Sequence, residues 1–287
     1  MMTPAVPLPA AATPLVGLME QQLKQGDIDV PLLPEVAGRV VQLTQDPESD
    51  AVQLAQLIQS DQSLAGHVMR IANSAAYSPN TTLVSLQQAI TRLGMSLISE
   101  IALAASISTK MFKAPGFEQD IENVWRHALA TALWAKEIAR HCRYNVETTF
   151  LCGLLHNIGW PVALQSILEK LDAEGIACDK DCVTALASHF ERQTGLQVLE
   201  RWKMPQTIAE TLSYFDCPTQ APNAVTQTAI VHSASLFARH MLTPEALDRE
   251  QLGQAEILAN LNLYPDEIAD LLEKSETVSQ TMEVMSA

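Results

Sequence analysis

Apolar residues recur along this chain at the spacing of an α-helix. Ala51, Leu54, Ala55 and Ile58 stand at positions i, i+3, i+4 and i+7, which places them on one face of a helix. The stretch 121–139 repeats this period over several turns. No strand-like alternation persists anywhere in the sequence. The pattern predicts an all-α protein.

Capping and helix-breaking residues indicate where the helices begin and end. Ser85–Gln88 has the form of a capping box, and Gly94 follows as a typical helix end. The apolar pattern from Asp181 to Trp202 predicts two helices with a break near Gly195. Thr243–Pro244 resembles an N-cap followed by a first-turn proline, so a helix is expected to begin there.

The clearest break in the chain is Lys113–Gly116, which contains the pair Pro115-Gly116. It predicts a boundary between two helical subdomains, 26–115 and 116–287, the second ending in a set of C-terminal helices. The proline-rich segment 1–25 is expected to be a flexible tail.

Composition narrows the range of functions. A hydrophobic fraction of 47% indicates a globular protein. The net charge of −15 and the absence of a basic stripe argue against nucleic acid and anionic lipid as partners. The most apolar stretch, 97–107, carries Glu100 and is too short to span a membrane. The first basic residue is Lys24, so no secretory signal is expected.

The cysteines form an odd set of five without a CxxC pair. They are expected to be reduced thiols in a cytoplasmic protein. Cys178, Cys182 and His189 lack a fourth ligand, so structural zinc is not expected.

Motifs in both halves of the chain carry a resemblance to a known family. The first half contains Leu33–Val36, Ile71–Tyr77 (IANSAAY) and Ala89–Gly94 (AITRLG), and the second contains Trp125–His127, Phe150–Gly159 (FLCGLLHNIG) and Leu199–Pro205. In this order they resemble the HDOD family, the HD-related output domain of bacterial signalling proteins. The resemblance extends from about Val30 to beyond Arg239. It implies an N-terminal helical bundle and a C-terminal bundle similar to HD phosphohydrolases.

The pair His156-Asn157 stands where that superfamily has adjacent histidine and aspartate. A carboxylate there can bridge two divalent ions, whereas asparagine keeps its size but loses the charge and one oxygen ligand. The resemblance places the superfamily's first metal-binding histidine on His127 and a further histidine on Glu191.

The remaining positions of the superfamily's metal set also differ here. The resemblance places two adjacent histidines on Tyr214 and Phe215, the closing aspartate near Ser235, and a lysine on Trp160. His189 and His232 are offset from the expected positions, although either could substitute for a lost ligand. Two imidazoles therefore remain, while each expected aspartate is replaced.

These replacements predict a degenerate binding site made of His127, His156, Asn157, Glu191 and Ser235. We expect no catalytic residue, no metal ligand and no cofactor, because Mg²⁺ and Mn²⁺ prefer anionic oxygen. Glu191 keeps a weak single-metal site conceivable.

The family motif also includes Asn73 and Ser74. Both stand near the predicted end of a helix, where short polar side chains satisfy free backbone groups. A structural role is favoured for both residues.

Two functions follow from the sequence. The first is a non-catalytic signalling module that binds a signalling protein in trans, or a small nucleotide-like ligand, through a former active-site cleft. The alternative is a metal-dependent phosphohydrolase or phosphodiesterase with an atypical site at His127, His156 and Glu191.

Overall fold

A computed structural model describes residues 13–78, 82–107 and 111–286. Within these residues the protein is entirely helical, without a strand, which confirms the predicted fold class. The helices are α1 (Thr13–Gln25), α2 (Glu35–Gln45), α3 (Ala51–Gln59), α4 (Gln62–Ala72), α5 (Leu86–Leu93), α6 (Met95–Ser106), α7 (Glu118–His141), α8 (Val146–Leu155), α9 (Gly159–Glu174), α10 (Lys180–Arg201), α11 (Gln206–Ser213), α12 (Val225–Leu242), α13 (Arg249–Gly253), α14 (Glu256–Asn260), α15 (Pro265–Leu272) and α16 (Ser275–Ser286). A short 3₁₀-helix, Pro218–Gln220, precedes α12.

Capping residues determine several of these boundaries as predicted. The Ser85 hydroxyl accepts the backbone N–H of Gln88, and Gly94 ends α5 with a φ of 89°. The second half of the expected capping box differs, because the Gln88 side chain accepts from the Val84 N–H and not from that of Ser85. These contacts satisfy backbone groups that a helix end leaves free.

The core is built around the long helix α7. It packs against α8, α12 and α16, while α9 lies along α10. Trp134 of α7 meets Phe237 of α12 with ring centroids 5.0 Å apart. Helices α2 to α6 pack on one another, and α6 also contacts α8 and α16. The predicted boundary at Pro115 falls in the loop between α6 and α7, and the division into two subdomains stays a prediction.

The predicted break near Gly195 is wrong, because α10 continues without interruption through that residue. Gly195 instead allows close packing against Gly159 at the start of α9. A Cβ atom on Gly159 would lie 1.8 Å from the carbonyl oxygen of Glu191 and 2.4 Å from the nitrogen of Gly195. Gly195 therefore permits a tertiary contact and does not mark a helix end.

The expected tail also differs from the structure. Residues 13–25 form α1, which packs against α9 and α10. Leu15 and Met19 are fully buried, and the Gln197 side chain of α10 donates to the carbonyl oxygen of Leu23 at 2.6 Å. Residues 1–12 lie outside the described part of the chain.

Two further expectations differ from the structure. Thr243–Pro244 lies in a turn, and the next helix begins at Arg249 with Asp248 as its N-cap. Cys178 and Cys182 are joined as a disulfide rather than being free thiols.

The stretch Val146–Glu174, which includes α8 and α9, is long and apolar enough to cross a membrane by length and composition alone. Its most apolar window has a mean hydropathy of 1.2, and 94% of that window is buried inside the protein. Such burial is typical of core helices.

Candidate functional site

A cavity of about 330 Å³ lies where α7, α9, α10 and α12 meet the end of α11. All five residues of the predicted degenerate site contribute to it. Its lining consists of Val124, His127, His156, Asn157, Trp160, Ser188, Glu191, Arg192, Leu212, Phe215, Asp216 and Ser235. Helices α7, α10 and α12 and the turn after α8 therefore bring the predicted residues together.

His156 is held in one orientation by its own turn. Its Nδ1 lies 2.7 Å from the carbonyl oxygen of Gly153, so this nitrogen carries the proton and Nε2 keeps a free lone pair. Burial, reinforced by the neighbouring His127, lowers the pKa of His156 to about 3. Burial also lowers the pKa of His127. Both rings are therefore neutral at physiological pH.

Four aromatic rings form a column, and three of them, His127, His156 and Phe215, line the cavity. The centroids of His127 and His156 are 5.5 Å apart. Phe215 stacks on His156 at 5.2 Å and on His232 at 5.0 Å, and His232 Nδ1 contacts the Phe215 carbonyl oxygen at 2.8 Å. We call His127, His156, Phe215 and His232 the ring column. An apolar ring thus occupies the centre of the column, between two imidazoles.

Asn157 uses its amide to tie the turn after α8 to α7. Its Nδ2 donates to the carbonyl oxygen of Val124 at 3.2 Å. A carboxylate cannot donate this hydrogen bond, so the contact is specific to the amide.

The half-buried Glu191 of α10 contributes a carboxyl group to the lining of the cavity. Burial, together with the negative charge of Asp216, raises the pKa of Glu191 to about 8, against the attraction of Arg192. The Glu191 carboxyl is therefore mostly protonated at neutral pH. Arg192 and Asp216 form an ion pair at the rim.

This set of donors does not fit a pair of divalent ions. In the described residues, no three His, Cys, Asp or Glu side chains are placed to hold a metal ion together. The predicted site residues supply two neutral imidazoles, an amide bonded to Val124 and a protonated carboxyl, whereas hard ions prefer anionic oxygen. The other carboxylate of the lining, that of Asp216, is paired with Arg192. His189 does not line the cavity, and His232 is on the far side of Phe215.

The motif residues Asn73 and Ser74 lie outside the cavity. Asn73 Nδ2 donates to the carbonyl oxygens of Met69 and Leu83, at 3.0 and 2.9 Å, and its Oδ1 accepts the Leu83 N–H at 2.6 Å. The side chain thereby holds the segment before α5 against the end of α4. The half-buried Ser74 has a hydroxyl without a hydrogen-bond partner in the described residues.

Sequence reasoning missed Ser188, Arg192 and Asp216. Ser188, Glu191 and Arg192 are spaced i, i+3 and i+4 on one face of α10, so the helical period before Gly195 already gave the signal that could have found Ser188 and Arg192. Asp216 follows Phe215 directly in the sequence, but its pairing with Arg192 depends on tertiary structure.

Comparison with known proteins identifies the family and the fold. The family model described as "HDOD domain" matches residues 30–218. The match begins where the resemblance was expected to begin, and it ends before Arg239, to which the resemblance was expected to extend. An uncharacterized protein of Treponema pallidum is 20% identical over 202 residues, which is 68% of this chain. The chain spans only 39% of that relative's length.

Solved structures share the fold at low sequence identity. An HDOD domain protein of unknown function from Geobacter sulfurreducens has a TM-score of 0.71 and 21% identity, covering 93% of this chain and 98% of its own. A Shewanella amazonensis protein named "Putative metal-dependent phosphohydrolase" has a TM-score of 0.69 and 21% identity, with coverage of 95% and 99%. A Marinobacter aquaeolei protein named "Putative signal transduction protein" has a TM-score of 0.69 and 21% identity, and the match covers 98% of this chain and 68% of that protein.

Proposed function

This chain belongs to the HDOD family, and from that membership we propose that it is a non-catalytic signalling module of the bacterial cytoplasm. It acts by binding a signalling protein in trans or a small ligand, without chemical turnover. The name of the Marinobacter structure, which refers to signal transduction, is consistent with this role.

The observation that carries the proposal is the position of Phe215. Its ring stacks between His156 and His232, at a position where the resemblance to HD phosphohydrolases implies a metal-binding histidine. Hydrolysis of a phosphodiester at neutral pH requires a metal-bound hydroxide or an equivalent nucleophile. The neutral ring column offers no such group.

The cavity itself suits a small organic ligand. Its volume of about 330 Å³ lies within the usual range for ligand pockets, about 300–1,000 Å³. Trp160 and Phe215 present aromatic surface, while His156 Nε2 and the Ser188 and Ser235 hydroxyls can form hydrogen bonds. A planar, nucleotide-like molecule matches this combination better than a metal ion does.

A metal-dependent phosphohydrolase is the second candidate. Its support is that His127, His156 and Glu191 line one cavity. A metal that displaced the proton from Glu191 would gain one anionic ligand. The other carboxylate of the lining, Asp216, is paired with Arg192, and Asn157 has no carboxylate with which to bridge a second ion.

Metal analysis and a hydrolysis assay test the proposal. Protein purified without chelator should contain well under one equivalent of transition metal per chain. With Mn²⁺ and an aryl phosphodiester or phosphomonoester, the wild type and a His127→Ala, His156→Ala double variant should both show only background hydrolysis. Bound metal near one equivalent, together with hydrolysis lost in the double variant, would establish the phosphohydrolase instead.

A further inference from the structure

A second cavity, of about 280 Å³, lies between helices from the two halves of the chain. One wall is a face of α7 with Leu133, Lys136, Glu137 and Arg140 at positions i, i+3, i+4 and i+7. The facing wall comes from Lys274 and the adjoining α16, with Lys274, Thr277, Val278 and Thr281 at the same spacing. Ala76, Tyr77 and Leu97 close the cavity from the first half of the chain.

Cationic side chains are concentrated here in a protein of net charge −15. Lys136 is buried at the inner end and pairs with the equally buried Glu100. Arg140 and Lys274 lie nearer the surface, and both bind Glu137, Lys274 at 2.7 Å. Among the charged groups that line the cavity or pair directly with its lining, three cations face two carboxylates, which leaves an excess of one positive charge. The Glu147 carboxylate is exposed and accepts from Ser96 outside the lining.

The neutral groups at the cavity add hydrogen-bond donors and apolar surface. Burial, and then the negative charge of Glu100, raises the pKa of Tyr77 to about 12. Its hydroxyl therefore stays protonated, and it lies 3.9 Å from the sulfur of Met285, a weak acceptor. Leu97, Leu133 and Val278 supply apolar walls.

We propose that this cavity, lined by Tyr77, Lys136, Arg140 and Lys274, is a binding site for a small monocarboxylate with a short apolar body. The carboxylate balances the one uncompensated cation and accepts hydrogen bonds from the cationic and hydroxyl groups. The apolar body lies against the leucine and valine walls. Because the ligand would touch residues on both sides of Pro115, it would hold the two halves of the chain together. The site is separate from the cavity at the ring column and does not depend on the function proposed for it.

Butyrate is a suitable probe, and butyramide is its neutral counterpart. The full chain is titrated with each at constant ionic strength, and binding is followed by ¹H–¹⁵N chemical shifts and by thermal unfolding. Butyrate at about ten times its Kd should raise the Tm by about 3 °C. Butyramide should bind at least about tenfold more weakly, because it cannot compensate the positive charge.

The matched variants are Lys274→Ala and Arg126→Ala. Both remove a partly exposed ion pair between α7 and the α16 segment, since Arg126 binds Glu283 at 2.7 Å, but only Lys274 lines this cavity. Lys274→Ala should weaken butyrate binding about tenfold or more, Lys274→Arg should keep most of it, and Arg126→Ala should leave it unchanged. Equal binding of butyrate and butyramide, or equal effects of Lys274→Ala and Arg126→Ala, would overturn the proposal. Binding of inorganic phosphate in place of butyrate would overturn the assigned ligand class.

Discussion

At the scale of single residues, Asn157 has a hydrogen-bonding role that a carboxylate cannot take over. Asn157→Asp replaces the donor to the Val124 carbonyl oxygen with a charge that faces that oxygen. We expect a stability loss of about 1–3 kcal/mol and no Mn²⁺-dependent phosphodiesterase activity, because Phe215 and Ser235 still provide no carboxylate or imidazole.

Urea unfolding and a diesterase assay measure these two effects. Asn123→Asp, an exposed change on α7, is the control for added charge and should alter stability little. Measurable turnover by Asn157→Asp would show that other residues complete a metal site.

Glu191 should make stability depend on pH. Its folded-state pKa is raised to about 8, so the folded state holds a proton that the unfolded state releases above its ordinary pKa. The contribution of Glu191 to the free energy of unfolding is therefore fully present at low pH and is lost as the pH rises from about 4.5 through 8.

Glu191→Gln removes this dependence at nearly constant volume. The free energy of unfolding of Glu191→Gln should exceed that of wild type by almost nothing at pH 5 and by about 2 kcal/mol at pH 8. The latter value is reduced because solvent reaches a half-buried group. The measurement is the free energy of unfolding across that pH range, with the exposed Glu200→Gln on the same helix as control. Parallel pH profiles for wild type and Glu191→Gln would show that the Glu191 carboxyl is not protonated in the folded protein at neutral pH.

The sequence predicts which residues meet at the cavity, but not how their side chains pack there. His127, His156, Asn157, Glu191 and Ser235 were predicted as one group because family motifs assign each a place on a helix, and the structure places them around one cavity. Their roles stay a prediction. The stacking of Phe215 between two imidazoles depends on distances between separate elements, which no local pattern encodes.

At the scale of helices, the contact between α9 and α10 depends on the absence of a side chain. Gly159→Ala would place a Cβ atom against the backbone of Glu191 and Gly195, so the helices would have to separate. We expect a loss of about 3 kcal/mol in the free energy of unfolding.

Gly66→Ala is the matched control for this prediction. Gly66 lies in α4 with open space around its Cα, so alanine there should stabilise the protein by up to about 1 kcal/mol. Chemical denaturation of both variants gives the comparison, and an equal effect of the two changes would argue against close helix packing at Gly159.

Helix ends were predictable where a side chain caps its own helix, as at Ser85, and where a glycine with a positive φ ends it, as at Gly94. Helix ends were not predictable where contacts with distant helices determine whether a segment is helical. Gly195 has the local signature of a break, yet its lack of a side chain serves packing against α9. Helix α1 looked like a tail from its proline-rich context, but the burial of Leu15 and Met19 against distant helices stabilises it.

At the scale of the whole molecule, the buried ion pair of Glu100 and Lys136 joins α6 to α7 across the predicted boundary. Lys136→Met leaves the Glu100 carboxyl buried without its partner, which should cost about 3–5 kcal/mol. The double variant Glu100→Leu, Lys136→Met removes both charges and should recover most of that loss.

Urea unfolding of the two variants and the wild type completes this comparison. If the double variant were as unstable as Lys136→Met, packing rather than charge would account for the loss. At this scale the helical class was predictable because the 3.6-residue period runs through the chain, whereas the contact of α6 with α7 and α16 was not.

The docking of α1 on α10 has a consequence for synthesis of the chain. Gln197, which donates to the Leu23 carbonyl oxygen, follows it by 174 residues. At a translation rate of ~5–20 residues per second, α1 leaves the ribosome roughly 10–35 s before its partner surface, made by α9 and α10, is complete. During that interval its apolar face, with Leu15 and Met19, is uncovered. Chaperone binding to nascent chains should therefore be strongest at the N-terminal segment and should end once α10 has emerged.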